Sequence, residues 1–170
     1  MLTVLNINIV GVEPSRQPIG YSRFYHLCHC SKKATNAMFG IYQQSTLRIE
    51  IDATVAQLRR SLVQPEHLRQ WLWPQQFSES FKAPLRVGQT FSSYVGPIRI
   101  DHTIEACSES TIRFLLHRGV DGFHEWHWGD GWVQSRLEGI STLPLNIAQT
   151  TSLLRLQLFL AVQKRREDVS

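Results

Sequence analysis

Alternation of apolar and polar residues predicts several β-strands in the middle of the chain. The clearest pattern runs over 98–107, where Ile98, Ile100 and Ile104 alternate with charged and polar residues. Such alternation is typical of a strand with one buried face, and His102 falls on the apolar side. A strand over 111–118 places Phe114 on its apolar face. Further strands are predicted over 46–52, 77–85 and 87–95.

Residues 121–140 predict a β-hairpin with a tight turn at Asp130-Gly131. An Asp-Gly pair between alternating segments is a strong hairpin signal. With these two residues at the centre of the turn, one face of the hairpin is aromatic and apolar and the other is polar. The predicted cross-strand pairs are Trp128 with Val133, Trp126 with Ser135 and His124 with Leu137 on the apolar face, and His127 with Gln134 and Glu125 with Arg136 on the polar face.

Three helices complete the predicted elements. Thr54 and Gln57 form a capping-box pattern at the start of a short helix. Pro65 begins a second short helix, which is expected to end near Trp73-Pro74. A long apolar helix is predicted from Leu143 to about residue 166. Its buried stripe is predicted to contain Ile147, Thr151, Leu154, Leu158 and Ala161, broadened by Leu153, Leu156 and Leu160.

The order of these elements predicts an α+β fold. One strand, two short helices, six antiparallel strands and a long C-terminal helix are expected to form a curved antiparallel sheet of about seven strands around that helix. Antiparallel sheets bury one face, and here a single long helix is available to cover it. A sheet covered in this way leaves room for an apolar cavity, the kind of site in which small molecules bind.

The first 45 residues differ in character from the rest, and we expect a flexible leader over 1–45 followed by one domain over 46–168. Met38 is an alternative initiator, in which case residues 1–37 would be absent from the natural protein. The spacing of His26, Cys28, His29 and Cys30 is too tight to surround one zinc ion, so no metal site is expected.

Composition and charge narrow the classes of partner. The 170 residues are 42% hydrophobic and 19% charged, as in an ordinary globular domain. Most of the net charge of +4 lies in the first 45 residues, so the domain has no basic surface of the kind that nucleic acids require. Three cysteines, no secretory signal and no long apolar run favour a reduced, cytoplasmic protein without integral membrane association. No cofactor is expected, because phosphate-binding loops and paired metal ligands are missing from the sequence.

The chain resembles the START-like, or SRPBCC, superfamily, which has the helix-grip fold and includes plant pollen-allergen-like proteins, polyketide cyclases and homologues of a chaperone-ATPase activator. The resemblance covers about residues 46–165. It depends on the element order, the proline-to-tryptophan segment Gln64–Trp71 and the strand at Gly131-Trp132 that leads into the C-terminal helix. The segment 126–158 looks most like uncharacterised cyanobacterial members. The resemblance implies a cavity that binds lipids, sterols, polyketides, hormones or aromatic compounds.

The predicted ligand contacts follow from the apolar sides of the strands and of the long helix. His102 and His124 are candidates for orienting a polar group of the ligand; the alternative is that they are hydrogen-bonded core residues. The inward tryptophans are likewise either ligand contacts or packing residues. The full set of predicted contacts is Ile100, His102, Phe114, His124, Trp126, Trp128, Ser135, Leu154 and Leu158.

Three functions remain open from the sequence. The first is binding of a small hydrophobic or amphipathic molecule. The second is an enzyme of cyclase, dehydratase or hydrolase type, in which His102 or His124 acts as general acid or base. The third is a protein-interaction module that uses the outer sheet face with Glu125, His127 and Arg136.

Overall fold

The computed structural model describes residues 40–82 and 84–167. Within these ranges the chain forms a seven-stranded antiparallel sheet in the order β1-β7-β6-β5-β4-β3-β2, with three helices. This confirms the predicted α+β, helix-grip architecture. The elements are β1 (Ile41–Glu50), α1 (Val55–Val63), α2 (Pro65–Trp71), β2 (Gln76–Phe77), β3 (Thr90–Val95), β4 (Ile98–Cys107), β5 (Thr111–Arg118), β6 (Val120–Gly129), β7 (Trp132–Ser141) and α3 (Leu145–Glu167).

The core lies between one face of the sheet and α3. Leu153, Leu156 and Leu160 are the buried leucines in the middle of α3, and they join one cluster with the inward residues of the strands. The helix α2 contacts α3, and α1 contacts β6. The two short helices therefore close one part of the space between sheet and long helix. No helix in the described part of the chain combines the length and the apolar character needed to cross a membrane.

The hairpin β6–β7 has the register that the Asp130-Gly131 turn predicts. All five predicted cross-strand pairs are present, from Trp128 opposite Val133 to His124 opposite Leu137. Gly131 has a φ of 78°, a conformation that glycine adopts without strain. The Asp130 Oδ1 also accepts a hydrogen bond of 2.9 Å from the Val55 backbone N–H. The turn therefore supports the start of α1 as well as the hairpin.

Two boundaries differ from the prediction. The strand β1 begins at Ile41, so five residues assigned to the leader belong to the sheet; they are mostly polar, and the alternation signal is weak there. The strand predicted over 77–85 is much shorter: the observed β2 is Gln76–Phe77, so only Phe77 of the predicted range pairs in the sheet. The predictions for Met38 and for the cluster between His26 and Cys30 lie outside the described residues.

The buried face of α3 also differs from the predicted stripe. Leu154 is 43% exposed and Leu158 is 67% exposed, whereas Gln149 is only 1% exposed. The helix carries leucines on several sides, so hydrophobicity alone does not identify the side that meets the sheet. The observed contact face contains Leu145, Gln149, Leu153, Leu156 and Leu160.

Gln43 in β1 connects the sheet to the start of α3. Its Nε2 donates to the backbone oxygens of Ser141, at 3.2 Å, and Leu143, at 2.8 Å. Its Oε1 accepts from the Leu145 backbone N–H at 3.1 Å, which satisfies one of the free amide groups at a helix start. We expect Gln43→Ala to lower the free energy of unfolding by about 2 kcal/mol, because three hydrogen bonds are lost together.

Urea denaturation measures this loss. Gln44→Ala is the matched control, because Gln44 is the exposed neighbour on the same strand; its effect is expected to stay within about 0.5 kcal/mol. Equal stability of the two variants would contradict a role of Gln43 in holding α3.

Candidate functional site

A cavity of about 350 Å³ lies between the inner face of the sheet, α2 and the first turns of α3. Its walls are mainly aromatic and aliphatic, and the described residues that line it include no Asp, Glu, Lys or Arg. The polar groups on the walls come from two histidines, two glutamines and a serine. The aromatic wall consists of Trp71, Phe77, Phe81, Phe91, Phe114 and Trp126.

The opening of the cavity lies between the β3–β4 turn and the start of α3. Four of its lining residues are exposed: Val95 at the end of β3, and Pro144, Ile147 and Ala148 around the first turn of α3. A molecule entering the cavity would pass between these residues.

The structure brings five of the nine predicted ligand contacts to the cavity wall: Ile100, His102, Phe114, His124 and Trp126. All five lie on the central strands β4, β5 and β6, whose inward faces the alternation pattern identifies correctly.

Four predicted contacts do not line the cavity. Trp128 is only 1% exposed and belongs to the packed core. Ser135 is buried and reaches the site through His124. Leu154 and Leu158 are a correction to the prediction, because they lie on the exposed side of α3 and face away from the sheet.

Several lining residues were missed from the sequence. Some lie on α1 and the strands, such as Leu62, Phe91 and Leu116; the others come from α2, the loop after it and the first turns of α3, including Gln75 and Gln149. A glutamine buried in an apolar helix is unusual. The polar Gln149 within such a helix is the feature of the sequence that could have indicated a lining residue. The others depend on the path of the chain between elements.

His102 in β4 is held by aromatic contacts and one hydrogen bond. Its ring stacks on Phe91, with centroids 4.6 Å apart and planes 6° apart. Its Nε2 lies 2.8 Å from the Ser93 Oγ. The same Oγ accepts a hydrogen bond of 2.7 Å from the Gln75 Nε2. A hydroxyl oxygen accepts two hydrogen bonds and donates one, so the contact between Ser93 and His102 is compatible with either tautomer of the ring.

His124 in β6 has the same arrangement on the other side of β5. Its Nε2 lies 2.8 Å from the Ser135 Oγ. The Gln149 Nε2 donates to the backbone oxygen of Ser135, at 2.8 Å, and to its Oγ, at 2.9 Å. A carbonyl oxygen only accepts, so the amide nitrogen of Gln149 must face it. The Ser135 Oγ thus accepts from Gln149, and its contact with His124 is compatible with either tautomer of the ring.

Both histidines are neutral at pH 7. Burial lowers the pKa of His102 to about 4, although the nearby Asp101 carboxylate opposes this shift. Burial lowers the pKa of His124 to about 3, and repulsion from His102 acts in the same direction. The cavity therefore presents two uncharged imidazoles, each with its Nε2 hydrogen-bonded to a serine hydroxyl.

The outer face of the sheet is a network of ion pairs. Glu125 lies 3.9 Å from Arg113 and 3.3 Å from His127. Arg136 pairs with Glu138 at 3.0 Å, although its cross-strand neighbour is Glu125. These residues face away from the cavity, as the hairpin register predicts. No group of three or more His, Cys, Asp or Glu side chains able to hold a metal ion occurs in residues 40–82 and 84–167.

The similarity of the chain to known proteins is found in its fold. No protein-family model matches it, and no curated protein matches it either. Solved structures do match. Mll3558 from Rhizobium loti has a TM-score of 0.55 at 14% identity, over 69% of this chain and 93% of that one. CalU16 from Micromonospora echinospora has a TM-score of 0.51 at 16% identity, over 74% and 80%. DynU16, a protein in the dynemicin biosynthetic locus, has a TM-score of 0.50 at 15% identity, over 69% and 47%.

Proposed function

We propose that this chain, which has the helix-grip fold of the START-like superfamily, binds a small hydrophobic or amphipathic molecule of lipid, polyketide or aromatic type. The observation that carries the proposal is the cavity itself. Its volume of about 350 Å³ falls within the range of small-molecule sites, which are largely apolar with a few placed polar groups. Six aromatic rings and two histidines on its walls fit that description.

Binding is favoured over catalysis by the state of the two histidines. A general base is most effective when its pKa is near the working pH, whereas burial lowers the pKa of His102 to about 4 and that of His124 to about 3. At neutral pH these rings are weak bases. Their hydrogen-bonding capacity suits them to hold a ligand.

The uncharged fluorophore N-phenyl-1-naphthylamine tests the proposal, because its emission rises when it enters an apolar site. We expect saturable binding to the full-length chain. Ala148→Trp places a large ring at the opening of the cavity and is expected to weaken binding at least about tenfold, or about 1.4 kcal/mol. Fluorescence titration measures both affinities.

Thr150→Trp is the matched control. Thr150 is exposed on the same helix and does not line the cavity, so this variant is expected to bind the fluorophore as tightly as the unaltered protein. Absence of saturable binding to the unaltered protein would refute the proposed function. Equal weakening by both substitutions would place the fluorophore outside the cavity.

A further inference from the structure

We propose that two copies of this chain associate through the exposed side of α3, in an antiparallel two-fold arrangement that brings Leu158 of the partner subunit against Ile147 at the opening of the cavity. The dimer does not depend on whether the cavity binds a ligand.

The exposed side of α3 carries a continuous apolar stripe. This outer stripe consists of Ile147, Thr151, Leu154, Leu158 and Ala161. Ile147 is 62% exposed, Leu154 43% and Leu158 67%, and Ala161 is exposed as well. The buried contact face of α3 lies on the opposite side of the helix. A contiguous exposed apolar surface of this kind marks a site of interaction.

The spacing of the outer stripe indicates that the partner is another helix. Its successive members are four, three, four and three residues apart, which is the repeat of the a and d positions in a two-helix coiled coil. In that packing each a or d side chain inserts between four residues of the facing helix. The α3 helix of a second copy carries the same stripe, so a two-fold axis makes the surface complementary to itself.

Charge favours the antiparallel orientation. The basic residues Lys164, Arg165 and Arg166 lie together in the last turn of α3. A parallel pair of helices would bring the two basic turns together, where like charges repel. An antiparallel pair holds them at opposite ends of the interface.

Charge also selects between the two antiparallel registers that overlap most of the outer stripe. One register sets Leu154 against Leu158 of the partner subunit, but it also sets the two copies of Arg155 beside each other. The other sets Ile147 against Leu158 of the partner subunit, and Arg155 against Ala148 of the partner subunit. Like charges at flanking positions destabilise helix pairs, so we infer the second register.

The size of the interface indicates a weak, reversible dimer. The 23 residues of α3 form a contact strip about 34 Å long and about 10 Å wide. Such a strip is smaller than the roughly 800 Å² that each partner of a standard interface contributes. Because α3 is already folded against the sheet, association does not have to order the helix, which removes one cost of binding.

The inferred register places the partner subunit beside the opening of the cavity. Ile147 and Ala148 are two of the exposed lining residues at this opening. In the dimer, Leu158 and Arg155 of the partner subunit lie against them. The second copy therefore narrows the path between α3 and the β3–β4 turn.

Analytical ultracentrifugation of the full-length chain tests the dimer. We expect the protein to be largely dimeric at about 100 µM and largely monomeric at about 1 µM, as is typical of small interfaces. Leu158→Glu places an unpaired charge in the apolar contact and is expected to raise the dissociation constant at least about tenfold.

Val87→Glu is the matched control for Leu158→Glu. Val87 is 62% exposed and lies in the loop before β3, away from α3, so this variant is expected to dimerise like the unaltered protein. A monomeric protein at about 100 µM would overturn the proposal. So would a dimer that Leu158→Glu does not weaken, because another surface would then be the interface.

Two substitutions of opposite charge at Ala148 test the register without a ligand. Ala148→Glu faces Arg155 of the partner subunit and is expected to lower the dissociation constant about threefold, through two exposed ion pairs per dimer. Ala148→Lys faces the same arginine and is expected to raise the constant by a similar factor. Equal effects of the two substitutions on dimerisation would overturn the inferred contact at the opening of the cavity.

Discussion

Lowering the pH from about 7.5 to about 5 is expected to cost the protein about 4 kcal/mol of unfolding free energy, or about 2 kcal/mol from each of His102 and His124. Both side chains have a pKa near 6.5 when unfolded, and burial lowers the folded values to about 4 and about 3. Below about pH 6.5 these two histidines bind protons in the unfolded chain but remain unprotonated in the folded chain. Stability is therefore fully present above that pH and declines as the pH falls toward the folded pKa values.

The chosen pH range isolates the histidines from the carboxylates. Burial acts to raise the pKa of Asp101, but its hydrogen bonds together outweigh burial and lower it. A hydrogen bond from Tyr42 lowers the pKa of Glu138. The stability that these two carboxylates contribute is therefore lost only at lower pH. His67, whose pKa burial also lowers, contributes in the same direction as the two cavity histidines.

Urea unfolding of the unaltered protein, His102→Phe and His124→Phe at the two pH values measures the effect. Each substitution removes one titrating group and is expected to reduce the pH-dependent loss by about 2 kcal/mol. Equal stability of the unaltered protein at both pH values would show that the two rings are accessible to protons in the folded state.

The second large effect is expected at Gly122 in β6. A methyl group added there would lie 2.0 Å from the backbone oxygen of Glu138 and 2.5 Å from the Cα of Gly139. These are backbone atoms in the paired strand β7, so a side-chain rotation does not relieve the contact. Gly122→Ala is therefore expected to destabilise the protein by about 3 kcal/mol or more, as measured by thermal and urea unfolding.

Gly96→Ala is the matched glycine control. Gly96 lies in the β3–β4 turn with a φ of 57°, and an added methyl group there meets no atom within 4 Å. The expected cost is about 1 kcal/mol, from the backbone conformation alone. If the two alanine variants were equally stable, the close approach of β6 and β7 at Gly122 would be contradicted.

Much of the sheet was predictable because its signals are local. The Asp130-Gly131 turn and the alternation on both sides of it determine the hairpin register, and the register determines that His124 and Trp126 face inward. The same alternation places His102 on the inner face of β4. Side-chain parity is a property of each strand by itself, so it does not depend on the distant part of the chain.

The α3 contacts were less predictable because they depend on how the helix is rotated. Leu154 and Leu158 were assigned to the cavity, yet Gln149 and Ala148 line it. Leucines occur around the helix, and the curvature of the sheet decides which of them it covers. Gln149, a polar residue outside the predicted stripe, is buried because Ser135 on β7 offers its oxygen atoms.

The contribution of α2 and of the loop that follows it depends on chain path. The sequence predicts the helix α2, but the position of its Leu68 and Trp71 beside the cavity follows from the approach of α2 to α3. Contacts between separate elements of this kind have no periodic signal in the sequence.

The pairing of β1 with β7 has a consequence for the order in which the protein is made. Gln43 binds the backbone oxygen of Ser141, 98 residues further along the chain, and β1 has β7 as its neighbour in the sheet. During synthesis β1 leaves the ribosome long before its partner exists, and contacts of such sequence separation form slowly. The hairpins of β3 to β7 are able to form first. The walls of the cavity come together only when the last strand and α3 have been released.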